Sequence, residues 1–342
     1  MSLSRTDGLT AALARVTLGQ FPTALEAAPN LSREPGFPQV FIKREDQSGL
    51  ALGGNKPRQL EFLLAAAIAE GAQAVITTAA AQSNFCRATA AAGAKLGLRV
   101  GLLLRGTGQA ELQGNLLLDR LFGAELRFIP TQDPYDARVA GWLDAFEADF
   151  KSRGLKTHVL HLPGRTGTLG AAAMVCTGEE MARQFTAQGV AAQAVFLAAG
   201  SGLTLAGVTL AFKALDLPTR VVGISVQKPA AFMVPLVVQR ANAAAELLGL
   251  KTRIAATDFD FDDRHIGAGY GVPTRQAVDA ILLGGATEGL VLDPVYSGKA
   301  FAGMLAQLRE RRWTAPAPVV FFHSGGAPGL FANAAQLAQW LG

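Results

Sequence analysis

Cysteine is scarce in this chain: there are two in 342 residues, Cys86 and Cys176. They form no Cys-x-x-Cys pair, which argues against a disulfide framework and for a reducing compartment. The four histidines are His158, His161, His265 and His323. His158 and His161 are close together but lack acidic or cysteine neighbours in sequence, so all four read as structural residues and no metal site is expected. Charge is also sparse. Only 17% of residues are charged, the net charge is +4, and no dense run of Lys or Arg occurs. That pattern argues against nucleic-acid binding and leaves a weak attraction for small anions. The N-terminal region has no continuous apolar segment of the secretory kind, so a cytoplasmic protein is expected. The uncharged stretch from Gln184 to Phe212 is interrupted by Gln193 and by Gly200-Ser201-Gly202. It reads as a buried strand, turn and helix rather than a membrane span, and the charge-poor stretch after Arg312 reads the same way.

Half of the residues are hydrophobic, ample for a core and for more than one domain. A short helix is expected around Leu9–Val16 and a strand over Gln39–Arg44. From Pro57 onward, helices and strands alternate. Helices are expected near 57–69, 84–96, 109–121, 134–152, 168–187, 203–215, 230–249, 273–284 and 297–311. Strands are expected near 74–78, 99–105, 125–129, 157–161, 194–199, 221–226 and 318–323. Gly71, Gly97, Gly123 and Gly154 punctuate helix ends. This is the pattern of a parallel α/β architecture.

Two turns carry chemistry. Lys56 sits between Gly53-Gly54-Asn55 and Pro57, where a loop becomes a helix. Proline fits a first helical turn, so Lys56 lies at a helix N-terminus, where the dipole disfavours a cation. On position alone it reads as an exposed lysine in a glycine loop. The chemical reading is a lysine of lowered pKa, fit to form a Schiff base. Further on, Gln82-Ser83-Asn84 follows the strand Val75–Thr78, and Ser83 suits the N-cap of a helix that stops at Gly97. Such an end binds carboxylates or phosphates, although most capping serines do no more than cap.

The run KRED…GGNKPRQLEFL, then QSN with Arg87 three residues after Asn84, then AAGAKLGL, resembles the pyridoxal-phosphate enzymes of tryptophan-synthase-β-like fold. Within them it is most similar to the D-cysteine desulfhydrase and 1-aminocyclopropane-1-carboxylate deaminase family. The resemblance implies a two-domain α/β fold with a smaller domain over 57–164 and a larger one from 1–56 plus 165–342. The cofactor would lie in the cleft between them, and a homodimer is the family's habit. It implies that Lys56 holds pyridoxal 5'-phosphate, that Asn84 faces the ring, and that Gln82, Ser83 and Asn84 meet the substrate.

Four further pieces fall in register. Gly200-Ser201-Gly202-Leu203-Thr204 follows a strand and opens an apolar helix, a context that favours anion binding; in the family it matches the phosphate loop. Tyr270, between glycines, is implied at the substrate, and Tyr296, in Asp293-Pro294-Val295-Tyr296, near the cofactor. Ser324, after His323, is implied at the pyridine nitrogen. Taken alone, each is also an ordinary turn; six motifs in order are far more specific. The departures are Phe85-Cys86 where the family commonly has histidine after Ser-Asn, Arg165 where small residues are usual, and Ala172-Ala173-Met174 in place of Gly-Tyr.

The implied activity is a lyase acting on a small amino acid: β-elimination from D-cysteine, giving pyruvate, ammonia and sulfide. Lys56 is the first candidate for the base, with Ser83 and Tyr296 as alternatives. In the deaminase branch the residue after the DPVY tyrosine is a glutamate; here it is Ser297. The alternatives are the cyclopropane deaminase, a lyase for a more acidic amino acid such as cysteate, suggested by Arg165, and a non-catalytic amino-acid-binding protein on the same fold.

Overall fold

Alternation of apolar strands with helical segments builds two parallel-rich sheets. The computed structural model describes residues 3–5, 7–106, 108, 111–133 and 136–341. The chain opens with β1 (Ser4–Arg5) antiparallel to β2 (Ala14–Arg15), then β3 (Leu25–Ala27) antiparallel to β4 (Val40–Lys43). There follow α1 (Lys56–Ala69), β5 (Ala74–Ala80), α2 (Asn84–Leu96), β6 (Arg99–Arg105), α3 (Gly114–Leu121), β7 (Glu125–Ile129), α4 (Arg138–Ser152) and β8 (Thr157–Leu160). A π-helical turn over Leu162–Thr166 leads to α5 (Gly167–Gln188), β9 (Ala194–Ala199), α6 (Leu203–Ala214), β10 (Arg220–Ser225), α7 (Ala230–Leu247) and β11 (Asp260–Asp262). The chain then runs through α8 (Arg275–Glu288), α9 (Ser297–Arg309), β12 (Val319–Phe322), α10 (Ala327–Ala332) and α11 (Ala334–Leu341). The helices expected from about 109 and 134 begin at Gly114 and Arg138; residues 109, 110, 134 and 135 lie outside the described residues.

The expected helix over Leu9–Val16 does not form. Its place is taken by a 3-10 turn at Gly8–Thr10 and by β2. Leu9, Leu13 and Val16 do reach apolar cores, but through tertiary packing: Val16 N–H donates to the Glu61 carbonyl rather than to a helical partner.

Strand order positions the site. The four-stranded sheet runs β7-β6-β5-β8, all parallel. The chain moves outward from β5 to β6 and β7, then returns to the other side of β5 with β8. The six-stranded sheet runs β11-β10-β9-β12-β4-β3, parallel except for β3. Here too the order reverses, between β9 and β12. At such a reversal the loops leave the strand ends in opposite directions and open a crevice. The residues after β5, β8, β9 and β12 are therefore the ones the topology leaves for binding.

A buried ionic network joins the layers. Arg58, on the first turn of α1, donates to both Glu45 oxygens at 2.7 Å and to Glu180 Oε1 of α5 at 2.8 Å. Lys43, at the end of β4, pairs with the same Glu180 and donates to Gln184 Oε1 at 2.8 Å. Thr23 Oγ1 donates to Glu45 Oε1 at 2.6 Å. Burial works against the Arg58 charge, and Glu45 and Glu180 more than offset it. Breaking one member of such a set costs about 3–5 kcal/mol because the remaining charges stay buried. Arg58→Met is expected to lower unfolding stability in chemical denaturation by about that amount. A loss under about 1 kcal/mol, the scale of exposed pairs, contradicts the network's role.

Candidate active site

The two reversals face one cavity of about 190 Å³. Lys56, Ser83, Asn84, the whole turn Gly200–Thr204, Tyr270, Tyr296 and Ser324 all line it. Gln82 does not. It lines an adjoining cavity, where its Nε2 donates to the Gln113 carbonyl at 3.0 Å and its Oε1 accepts from Asn115 N–H at 2.9 Å. Its side chain holds the start of α3.

Lys56 begins α1 after a tightly tied loop. Gly54 N–H donates to the Glu45 carbonyl at 2.9 Å, and Asn55 N–H to the Ser324 carbonyl at 3.2 Å. A Cβ on Gly54, whose φ is +106°, would stand 3.0 Å from that Ser324 oxygen, so only glycine lets the loop lie so close to the turn after β12. Arg87 ties the same loop from α2, donating to the Ala51 and Gly53 carbonyls; this is the task of the arginine three residues after Asn84. Burial alone brings the Lys56 ammonium down to about 8. Lys299 is brought to about 8 as well, but its Nζ donates to the Ile266 and Gly269 carbonyls. Lys43 is committed to Glu180. Lys56 combines a lowered pKa with an amine that has no partner among the described residues and a place in the cavity.

Ser83 is the N-cap of α2: its Oγ accepts from the Phe85 and Cys86 N–H groups at 3.2 Å each. The hydroxyl proton is left to donate. Asn84 Oδ1 accepts from Asn115 Nδ2 at 2.9 Å, which fixes the amide plane and leaves its NH2 as the donor. Opposite, the Gly200–Thr204 turn is braced through its carbonyls. Gln227 Nε2 donates to the Gly200 carbonyl at 2.7 Å, and Arg240 donates to that of Ser201. Gly202 caps α6 in the left-handed region, φ +78°. Thr204 Oγ1 accepts from Asn55 Nδ2 at 2.9 Å, joining this turn to the residue before Lys56.

The two tyrosine hydroxyls are 2.5 Å apart, with rings edge to face at 5.8 Å. Burial pushes both phenols above their ordinary range, Tyr296 well above, so they remain protonated donors. Asp293 sets Tyr296 in place, accepting from the Val295, Tyr296 and Ser297 N–H groups at 2.9–3.0 Å and from Ser297 Oγ at 2.6 Å. Ser297 is fully buried in this cap and does not line the cavity, whereas Ser324 does. His323 is buried behind it, its Nδ1 accepting from Gly325 N–H at 3.3 Å.

Several lining residues carried no signal as a set: Asn55, Gln59, Thr77, Thr78, Arg105, His161, Gln227 and Arg240. They come from strand ends, helix turns and loops far apart in sequence. Arg165 departs from the place expected of it. Its guanidinium is 77% exposed, pairs with Glu70 at 2.8 Å, and is not in the cavity. Glu70 also meets His158 at 2.8 Å. Phe85 lines the cavity; Cys86 is buried outside it, and burial pushes its thiol well above the ordinary range, which leaves it protonated. Among the described residues, no cluster of three or more His, Cys, Asp or Glu could hold a metal, and no helix is long and apolar enough to cross a membrane.

The lining suits a polar anion. Gln59 Nε2 and Thr78 Oγ1 are buried in it with no hydrogen-bond partner among the described residues, and so are left to meet a bound group or water. Among the described residues, the charged ones lining the cavity are Lys56, Arg105 and Arg240, with no carboxylate. A model of the pyridoxal-phosphate dependent enzyme family matches residues 16–325. The chain belongs to that family. Pyridoxal phosphate is its cofactor, and the expected α/β fold holds. A D-cysteine desulfhydrase of Klebsiella pneumoniae is 38% identical over 93% of this chain and 95% of its own. A Pyrococcus furiosus protein, provisionally named a 1-aminocyclopropane-1-carboxylate deaminase, is 35% identical over 96% of both chains. A crystal structure described as an ACC deaminase homologue superposes with a TM-score of 0.87 at 36% identity, covering 97% of each chain.

Only a neutral amine can form a bond to the cofactor's aldehyde carbon. With Lys56 near 8, the rate at which apoprotein captures pyridoxal phosphate, followed by visible absorbance, is expected to rise with pH and level off above about 8–9. A rise that continues to the ordinary lysine range near 10.4 contradicts a desolvated Lys56.

Proposed function

We propose that this enzyme eliminates the β-substituent of D-cysteine, releasing sulfide, pyruvate and ammonia. Pyridoxal phosphate, when bound, supplies the sink for the electron pair left on the substrate's α-carbon. In this reading Lys56 anchors the cofactor and Gly200–Thr204, with the start of α6, takes its phosphate. Asn84 and Ser324 meet its ring. The N-terminus of α2 and Ser83 hold the substrate carboxylate, with Asn84 and Tyr270 beside the substrate. Lys56 Nζ, neutral at mildly alkaline pH, is the base for the α-proton. Tyr296, kept protonated by burial, donates toward the departing sulfur, and Ser83 is the alternative donor. Gln82 acts on the substrate side only indirectly, through α3.

The observation that carries the choice of reaction is that, among the described residues, no carboxylate lines the cavity. Ser324, where the family places the ring nitrogen's neighbour, offers a hydroxyl, and Ser297 is turned into the Asp293 cap. A neutral partner favours an uncharged ring and a shallower sink. That suits loss of a thiolate, which leaves readily, better than rupture of a carbon–carbon bond in a cyclopropane. The deaminase-named relative and structural neighbour make ring opening the second reading. We further infer a unit over 57–164 that closes on the rest of the chain, and a cytoplasmic homodimer, on the family resemblance and the two free thiols.

Purified enzyme supplied separately with D-cysteine, L-cysteine and 1-aminocyclopropane-1-carboxylate tests the reading by its products. Sulfide and pyruvate in equal amounts from D-cysteine are expected. Abundant 2-oxobutyrate from the cyclopropane substrate with little sulfide from either cysteine contradicts it.

A further inference from the structure

Lys299 is a buried charge to which the scheme above gives no task. Its side chain is fully buried on α9, one turn after Tyr296. Burial works against the ammonium, and an unpaired buried charge is costly. Asp293 favours the charge from a distance, but its oxygens are taken by Val295, Tyr296 and Ser297. Lys299 Nζ instead donates to the Ile266 carbonyl at 2.7 Å and to the Gly269 carbonyl at 3.0 Å. Hydrogen bonds from a charged donor are roughly twice as strong as neutral ones. Both carbonyls belong to the loop Ile266-Gly267-Ala268-Gly269-Tyr270-Gly271. Its three glycines have φ of +68°, +144° and +78°, and glycine loses the most conformational freedom on being ordered. Gly267 and Ala268 are exposed. The loop's own backbone contributes a long bond, Val272 N–H to the Gly269 carbonyl at 3.4 Å. Tyr270 is nevertheless held with its hydroxyl 2.5 Å from that of Tyr296.

We propose that Lys299 is a positioning residue: its ammonium clamps the Ile266–Gly271 loop onto α9 and so holds the Tyr270 hydroxyl against that of Tyr296. Tyr296 is the N-cap position of α9 and is set by Asp293. The clamp therefore ties both tyrosines to one rigid element. Among the described residues Lys299 lines neither cavity, so it acts through Tyr270. The consequence is a choice of proton. Each phenol has one proton to donate and lone pairs to accept with. With Tyr270 donating to Tyr296, the Tyr296 hydroxyl keeps its own proton for the cavity. With the loop released, Tyr296 loses that donor, and its proton is no longer aimed. Lys299 itself gains and loses no proton in this scheme. The inference rests on the elimination reading only for the use made of the Tyr296 proton; the clamp does not depend on which reaction follows.

The test has a titration arm and a kinetic arm, both with pyridoxal-phosphate-loaded enzyme. The variants are K299M, which removes the charge, and G269A. A Cβ at Gly269 meets nothing within 4 Å, but its φ of +144° is strained for alanine, so this change loosens the clamped carbonyl and leaves the buried lysine in place. It carries both arms where K299M does not fold. In the first arm, tyrosine labelled with carbon-13 at the phenol carbon is followed by NMR, the Tyr270 signal being assigned with Y270F. In wild type Tyr270 is expected to stay un-ionised through the ordinary phenol range near 10, and in either variant to ionise within it. A Tyr270 signal that titrates as in wild type overturns the clamp. In the second arm, pyruvate release from D-cysteine gives kcat. K299M is expected to lower kcat at least roughly tenfold, a part of the range for a general acid. Added to Y270F, it is expected to cost less than about twofold more, because both changes act through one hydroxyl. Losses that multiply in the double variant overturn the inference while leaving the lyase reading intact. No pyruvate from wild type defeats the lyase reading, and the titration then still decides whether Lys299 positions Tyr270.

Discussion

The Arg58 guanidinium, held between Glu45 and Glu180, is the constraint on which the site depends. It lies two residues after Lys56 and ties the first turn of α1 to the turn after β4 through Glu45 and to α5 through Glu180. The KRED run therefore has a structural explanation: Lys43 and Glu45 are buried partners in that network, while Arg44 pairs with Asp46 at 2.7 Å. Among the described residues, Lys56 itself has no hydrogen-bond or ion-pair partner. Charges are concentrated one turn away, and the Lys56 amine faces a cavity that no carboxylate lines among the described residues.

The second organising fact is topological. Each sheet reverses its strand order once, and the loops at the two reversals face each other. Ser83 and His161 come from one sheet; Ser201 and Ser324 come from the other. Cross-braces fix their separation. Arg87 of α2 grips the loop before Lys56, Asn55 bonds Thr204, and the Ser324 carbonyl takes Asn55 N–H. The site is thus assembled from rigid strand ends and helix starts, which suits chemistry that needs fixed alignment.

Much of this was legible because it is local. A proline after Lys56, a serine before an apolar helix and a glycine-rich turn after an apolar strand each report a helix start, and all three helices begin within a residue of the expected place. What was not legible depends on tertiary geometry. The spacing of Leu9, Leu13 and Val16 fits a helix, but their burial is reached through a turn and a strand. Arg165 adjoins a family segment in sequence, yet the π-helical turn carries it to Glu70 on the surface. Gln82 precedes Ser83 and still faces the other cavity. Arg105 did leave a trace, a charge that closes β6 after the apolar run Val100–Leu104 in a charge-poor chain. Only the pairing of β5 with β6 shows that this strand end borders the Ser83 turn.

The central claim is that burial without a partner makes Lys56, among the lysines, the one that carries the cofactor. It is tested most directly by reducing the loaded enzyme with borohydride, digesting it and locating the pyridoxyl group by mass spectrometry. The account predicts the label on the peptide containing Lys56 alone. A label on Lys299, whose pKa is lowered just as far, or on Lys43 would contradict it.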